Sequence, residues 1–388
     1  MTSRLFTPGP TPVPPEVLRA MHTQPIYHRS DEFRALMKRL RPALQYLFQS
    51  SGPVLTLSCS GTGGMESTFV SLFSPGDTII AVNGGKFGER WVTLARTLGL
   101  QAIEVRTAWG DAVAAEAVLE ALGEHPEARA VYLTHSETST GTVIDLRALA
   151  RAIHERSDAL VCVDAVTSAG ALELRCERWG IDVCVTGSQK GLMLPPGLAF
   201  VALSERAVAA AEAAQMPRYY FDLRRALEAE RHGDTPWTPA IHLVVGLEVA
   251  LQMIRREGIE AVWQRHAVVA AGVRAGVRAL GLELFSRSPS NAVTAVRVPE
   301  GVRWDDLRRA CDVEGGVTVA GGQGEFAGRL FRIGHLGYVD ESDVLIVLGA
   351  LERALRSLGR AIASGAGVSA ALKAMKDRPE IHASRGEA

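Results

Sequence analysis

The chain has 388 residues, 47% of them hydrophobic, and a formal net charge of −1. That length and apolar content give a large core, in two domains or in one domain with an appendage. The near-neutral charge argues against nucleic acid or a membrane surface as a partner. Five scattered cysteines, with no C-x-x-C or H-E-x-x-H spacing, argue against a disulfide framework and a zinc site. They point to a reducing compartment, the cytoplasm.

Phe6–Pro15 is too rich in proline for helix or central strand and reads as an extended arm. It is not read as a signal peptide, and Arg385–Ala388 at the other end holds no targeting tripeptide. No apolar run approaches the ~18 residues of a membrane span. Pro15–Met21 and Asp31–Gln49 have helical apolar spacing. From Val54 the pattern alternates. Strands are expected at Val54–Cys59, Thr78–Val82, Gln101–Val105, Ala130–Thr134, Ala159–Val163, Asp182–Thr186 and Leu198–Ala202. Helices are expected between them at Gly64–Phe73, Gly88–Leu98, Ala112–Leu122 and Leu146–Glu155, the last capped by Asp145. Short apolar strands separated by helices imply an α/β fold, a mostly parallel sheet covered on both faces. Two long helices, Leu243–Arg256 and Ile259–Leu280, flank a break at Glu257-Gly258. A smaller α+β unit follows, with strands at Ala292–Val298 and Leu330–Ile333 and helices at Trp304–Asp312 and Glu341–Leu358. The expected division is an arm over 1–15, a large domain over 16–256 and a small domain over 257–388. The tail from Ser364 is left open, as a further helix or a fraying end.

In open parallel sheets ligands bind beyond the carboxyl ends of the strands. Ser60-Gly61-Thr62-Gly63-Gly64 follows the first strand and opens a helix, so free N–H groups there suit a phosphate. It matches neither a dinucleotide fingerprint nor a P-loop. Phe87, between Lys86 and Gly88, suits stacking over an aromatic ring. The hydroxyl-rich run Thr134–Thr140 offers donors, and His135 reads as structural. Asp164 ends a buried strand, where a carboxylate needs a partner; against a pyridine nitrogen it would keep that nitrogen protonated.

The most informative residue is Lys190. Only five of the 42 basic residues are lysine, and Lys190 is the only lysine between Phe87 and Leu372. It follows a strand in an apolar stretch closed by Pro195-Pro196-Gly197. Desolvation favours its neutral, nucleophilic form, which can form a Schiff base with the aldehyde of pyridoxal phosphate. Arg332, at the end of a small-domain strand, offers a fork for a substrate carboxylate.

Taken in order, these residues resemble the class V aminotransferases of fold type I, specifically the alanine/serine–glyoxylate aminotransferase family. The likeness runs from about Phe6 to about Leu358, through Thr7–Pro10, Ser60–Glu66, Asn83–Arg90, Thr134–Gly141, Val163–Val166, Gly187–Lys190 and Arg332–Gly337. It implies a pyridoxal 5'-phosphate enzyme whose Schiff-base lysine is Lys190, with Gln189 beside it. It implies a phosphate turn at Thr62-Gly63-Gly64, a stacking ring at Phe87, a hydroxyl at Thr138 and a ring-nitrogen partner at Asp164. Val166 would lie under the ring, Arg332 would bind the substrate carboxylate, and Gly9 of the arm would touch substrate. Some relatives carry a larger residue at Gly64, leaving only backbone contacts to phosphate there. Some also reach the phosphate with a Tyr and a Thr of the second subunit. In the corresponding segment, Arg231–Pro239, the Tyr is absent. Thr235 and Thr238 are the alternatives, Thr238 the preferred one.

The expected reaction is transamination from a small amino acid, alanine or serine, to glyoxylate or pyruvate, in a homodimer with shared active sites. The segment Asp234–Pro239, extended by two prolines and tipped by Trp237, is expected to cross to the partner. Two alternatives stand beside it. One is a lyase or desulfurase, for which Cys311 is the only candidate thiol outside the sheet region. The other is a non-enzymatic, hydrogenase-associated subunit.

Overall fold

The computed structural model describes residues 3–377. The first two residues of the expected arm and residues 378–388 of the expected small domain lie outside the described residues. In chain order the elements are β1 (Arg4–Phe6), α1 (Pro15–Met21), α2 (Asp31–Phe48), β2 (Val54–Leu57), α3 (Gly61–Leu72), β3 (Thr78–Asn83), α4 (Lys86–Thr97), β4 (Gln101–Arg106), α5 (Ala115–Glu124), β5 (Ala130–Thr134), β6 (Ser136–Glu137) and β7 (Thr142–Val143). Then come α6 (Leu146–His154), β8 (Leu160–Asp164), β9 (Val183–Gly187), β10 (Ala199–Leu203), α7 (Glu205–Ala213), α8 (Leu223–Arg231), α9 (Ile241–Glu257) and α10 (Ile259–Ala279). The chain closes with β11 (Val293–Arg297), α11 (Trp304–Ala310), β12 (Val317–Gly321), β13 (Leu330–Gly334), α12 (Glu341–Ser357) and α13 (Ala366–Lys376).

Seven strands form the large sheet in the order β2-β10-β9-β8-β5-β3-β4. Only β10 is antiparallel to its neighbours; β9, β8, β5, β3 and β4 pair in parallel. Every residue of β5, β8 and β9 is buried, because helices cover both faces. One covering helix, α2, starts where the Ser30 side chain accepts from Phe33 N at 3.2 Å, and buries Phe33, Leu36, Leu40, Leu44 and Leu47. Asp145 caps α6 as its position predicts, accepting from Ala148 N at 3.0 Å. The register sets Thr134 beside Asp164 and Asp164 beside Val185. The loops after β2, β3, β5, β8 and β9 therefore open on one edge of the sheet.

A second sheet, β1-β12-β13-β11, has its own apolar core, with Val269, Val273 and Val277 of α10 and Leu348, Leu351 and Leu355 of α12. The arm departs from expectation here. Arg4–Phe6 is a strand, paired in parallel with β12, and Phe6 is buried in that core. Proline begins only at Pro8, so nothing in Arg4–Phe6 forbids a ladder. The helix after β2 starts at Gly61, not Gly64, which puts the glycine turn inside its first turn. The tail forms α13, which lies against α10.

Candidate active site

The shared edge opens on a cavity of about 240 Å³, lined among others by Gly9, Gly61, Thr62, Phe87, Arg90, Asp164, Val166, Gln189 and Lys190. Four loops, those after β2, β3, β8 and β9, meet the arm there.

Lys190 stands three residues past β9. The turn is held by Ser188, whose hydroxyl donates to Pro195 O at 2.7 Å and accepts from Leu198 N at 3.1 Å. Thr11 of the arm donates through Oγ1 to Lys190 O at 3.1 Å, and Lys190 Nζ donates to Pro8 O at 2.6 Å. A Cβ on Gly9 would lie 2.6 Å from that nitrogen, and Gly9 has φ +145°, so only glycine fits between arm and amine. Burial pulls the ammonium down to about 8; Asp164 opposes this, and Arg332 and Arg90 reinforce it.

Asp164 ends β8. Its Oδ1 accepts from Val166 N at 2.8 Å, and burial pushes the carboxyl up to about 6, with Glu137 adding to the rise and Arg90 and Lys190 opposing it. At the far side, the N-terminus of α3 has no side-chain cap. The first intrahelical bond there comes from Gly64 N to Ser60 O, so the N–H groups of Gly61, Thr62 and Gly63 have no helical acceptor. Gly64 itself faces the sheet: a Cβ there would lie 2.9 Å from Val185 Cγ1. Arg90 donates to Thr62 Oγ1 at 3.0 Å and lies 4.8 Å from the centroid of the Phe87 ring. Gln189 Oε1 is buried without a partner.

Glu137 was not picked out in the sequence. Its carboxylate, buried behind Phe87, accepts from Phe87 N at 3.1 Å and Gly88 N at 3.0 Å, and from Ser139 N and Oγ at 3.1 and 2.5 Å. It thus caps α4 and fixes the loop that carries Phe87. Burial raises its pKa, and these four bonds oppose the rise. Thr138 Oγ1 meets Thr167 Oγ1 at 2.5 Å and is buried. Its carbonyl accepts from Arg332 Nη1 at 3.2 Å, while Arg332 Nε and Nη2 both donate to Gly321 O, at 2.9 and 2.8 Å. Three of the five guanidinium N–H groups are thereby used. A fourth, on Nη1, reaches Gln323 Oε1 at 3.5 Å, which leaves one Nη2 N–H unused among the described residues. Arg332 is outside the cavity lining, but its charge reaches Lys190.

The Asp234–Pro239 segment lies on its own chain. Asp234 pairs with Arg29 at 2.5 Å, and Trp237 is half-buried, stacked on Tyr219 and Tyr220 with centroids 5.1 and 5.8 Å away. Thr235 is buried and donates to Trp237 O at 2.8 Å; Thr238 is exposed, 3.4 Å from His28 Nε2. Within the chain, Trp237 is thus already stacked on two tyrosines. Cys311 is buried, and burial pushes its thiol up to about 12.

The family model for Aminotransferase class-V matches residues 4–329. The chain belongs to the class V aminotransferases. It is 41% identical, over 96% of its length and 98% of the other chain, to the "Soluble hydrogenase, small subunit" of a Synechococcus strain. It is 39% identical to the L-aspartate–glyoxylate aminotransferase of Paracoccus denitrificans, covering 96% of each chain. The crystal structure of a ureidoglycine–glyoxylate aminotransferase from Bacillus subtilis superposes with a TM-score of 0.92, at 29% identity over 96% of this chain and 98% of that one. The protein is thus a pyridoxal phosphate-dependent aminotransferase with the fold type I architecture. The cavity fits that cofactor. It combines a buried amine with a lowered pKa, a carboxylate ending a strand, an uncapped helix N-terminus and an aromatic ring.

Proposed function

We propose that this aminotransferase moves the amino group of a small amino acid, alanine or serine, to glyoxylate or pyruvate, in a homodimer with shared active sites. The observation that carries the proposal is the buried Lys190 amine, held at about 8 in one cavity with Asp164 and under the field of a carboxylate-binding arginine. Glyoxylate as acceptor is supported by two relatives that differ in donor but share that oxo acid in their names.

Bound pyridoxal phosphate supplies an aldehyde that condenses with amines and a ring that withdraws electrons from the substrate Cα. Lys190 holds it, and once displaced by substrate removes the Cα proton and later returns one, as base and then acid. The neutral fraction needed for this comes from burial. Asp164 would hold the ring nitrogen in its protonated form, and Phe87 and Val166 would pack on the ring. Gly61, Thr62 and Gly63 would donate to the phosphate, with Gln189 beside Lys190, and the Thr138 hydroxyl would lie near the ring. Gly64 contributes by letting α3 close on the sheet. Arg332, braced by two carbonyl oxygens, orients the substrate carboxylate and so the Cα–H bond. Gly9 leaves room for substrate beside Lys190.

Thr238, exposed next to the end of β2, is the residue we assign to the partner's phosphate site, with Thr235 as its support. The division near Glu257 is supported by the Gly258 break between α9 and α10, although Ile259, Val262 and Trp263 at the start of α10 still pack in the large core and the small core takes α10 from Val268 on. A cytoplasmic location is supported by five free cysteines. The desulfurase reading lacks a nucleophile at its only candidate, Cys311, and the non-enzymatic reading gives way to the family. Among the described residues no helix is long and apolar enough to cross a membrane.

The test is a half-reaction panel. Holoenzyme is mixed with alanine, serine, aspartate or pyridoxamine, and both the cofactor absorbance and the released oxo product are followed. Rapid turnover with alanine or serine, reversed by glyoxylate or pyruvate, is expected. Reaction only with aspartate or with a carboxylate-free amine overturns the proposed donor.

A further inference from the structure

The cavity holds a second cation, Arg90, to which the sequence assigns no role. Arg90 lies one turn into α4, lines the cavity and donates to Thr62 Oγ1 at 3.0 Å. Lys86, four residues earlier, is paired with Glu89 at 2.6 Å, but among the described residues no carboxylate pairs with Arg90. Its guanidinium lies 4.8 Å from the Phe87 ring centroid, which fixes its plane between that ring and the start of α3. Arg90 is half-buried and lines the cavity, so an anion bound there can meet it.

A phosphate monoester carries about −1.5 to −2 charges at neutral pH, and a helix N-terminus supplies the equivalent of roughly +0.5. The three free N–H groups of α3 therefore leave most of the dianion uncompensated. Lys190 does not fill the gap, since its nitrogen is bonded to Pro8 O and reacts at the aldehyde end. Arg90 can, and it already grips the Thr62 hydroxyl at the helix start. Taking the cofactor as given by the family, we infer that Arg90 is the counter-cation of the cofactor phosphate. It completes, with Gly61, Thr62 and Gly63, a phosphate cradle within one chain. Its second contact, on Phe87, ties the phosphate end of the cavity to the stacking ring.

Equilibrium binding separates this role from a structural one. Dissociation constants for pyridoxal phosphate and for pyridoxal, which lacks the phosphate, are measured on the apo forms of wild type, Arg90→Gln and Arg90→Lys. Charge-assisted hydrogen bonds predict that Arg90→Gln weakens pyridoxal phosphate roughly 10- to 100-fold while pyridoxal changes little, with partial recovery in Arg90→Lys. Equal weakening of both ligands, or of neither, overturns the inference and leaves Arg90 as a support for Phe87. A measurement on the wild type needs no variant. Inorganic phosphate should protect Arg90 from phenylglyoxal, as judged by peptide mapping, whereas pyridoxal should not. Unprotected Arg90 at saturating phosphate also overturns it. Wild-type protein that captures neither aldehyde would instead sink the cofactor reading beneath both.

Discussion

The reactivity of Lys190 should depend on pH in a way the surrounding charges dictate. The free amine of a lysine titrates near 10.5, and burial brings Lys190 down to about 8. At pH 7 that raises the neutral fraction from roughly one in three thousand to roughly one in ten, a change of about 3 kcal/mol in the cost of protonation. Covalent capture of pyridoxal phosphate by the apoenzyme, followed by stopped-flow absorbance between pH 5.5 and 10, should therefore rise with pH and reach its midpoint near 8. The neighbours give the signs for variants. Asp164 favours the charged amine, so Asp164→Asn should move the midpoint down. Arg332 disfavours it, so Arg332→Met should move it up. Asp164→Asn would then speed capture at pH 7 while crippling turnover, a split that a general loss of structure cannot produce. Lys190→Ala is the blank. A midpoint near 10.5, or the same direction of shift in both variants, would refute the electrostatic account of Lys190.

Asp164→Ala should retain the fold yet lose roughly 100- to 1,000-fold in turnover, the scale seen when one electrostatic group is removed from an active site; near-normal turnover would make the aspartate structural. Arg332→Lys keeps the charge but loses the fork, so KM should rise for every amino acid by roughly tenfold or more, with carboxylate-free amines unchanged. Loss of a single amino acid alone would place Arg332 on a side chain instead. Mixing Lys190→Ala with Thr235→Ala/Thr238→Ala subunits should restore about a quarter of wild-type activity if active sites are shared, because half the dimers are then hybrid with one complete site. A mixture that stays dead after verified exchange would confine each site to one chain.

The parts of the site legible in the sequence are those whose chemistry conflicts with their surroundings. Lys190 stood out because lysine is scarce and the flanking residues are apolar. Asp164 stood out because a carboxylate ended a fully apolar strand. Glu137 has the same chemistry but sits among hydroxyls in the short strand β6, and its partners Phe87 and Gly88 are about fifty residues away in sequence. Arg90 was hidden for the opposite reason: an arginine on an amphipathic helix is what any solvated face presents. The large sheet was legible because β3, β5, β8 and β9 are short apolar runs. α7 and α8 were not, as α7 buries only Ala207 and Ala211, too little for a helical period to show. β12 follows two glycines, and only the arm beside it makes it an interior strand.

That arm gives the two sheets a shared mechanical element. Phe6 is fixed in the small sheet beside Val319, and three residues later Gly9 passes over Lys190. Between these points it is pressed against β13, since a Cβ on Gly334 would lie 2.2 Å from Thr7 O. Arg332 is on the same strand, two residues before Gly334. Arg332 and the Pro8 oxygen that accepts from Lys190 Nζ are thus carried beside the small sheet, while Lys190 and Asp164 follow strands of the large one. A small shift of one sheet against the other moves both Arg332 and Pro8 relative to the amine. Thr11, which donates to Lys190 O at 3.1 Å, ties the other end of the arm to the loop after β9, so the arm bridges the two sheets. Tight packing makes each sheet move as a block rather than deform.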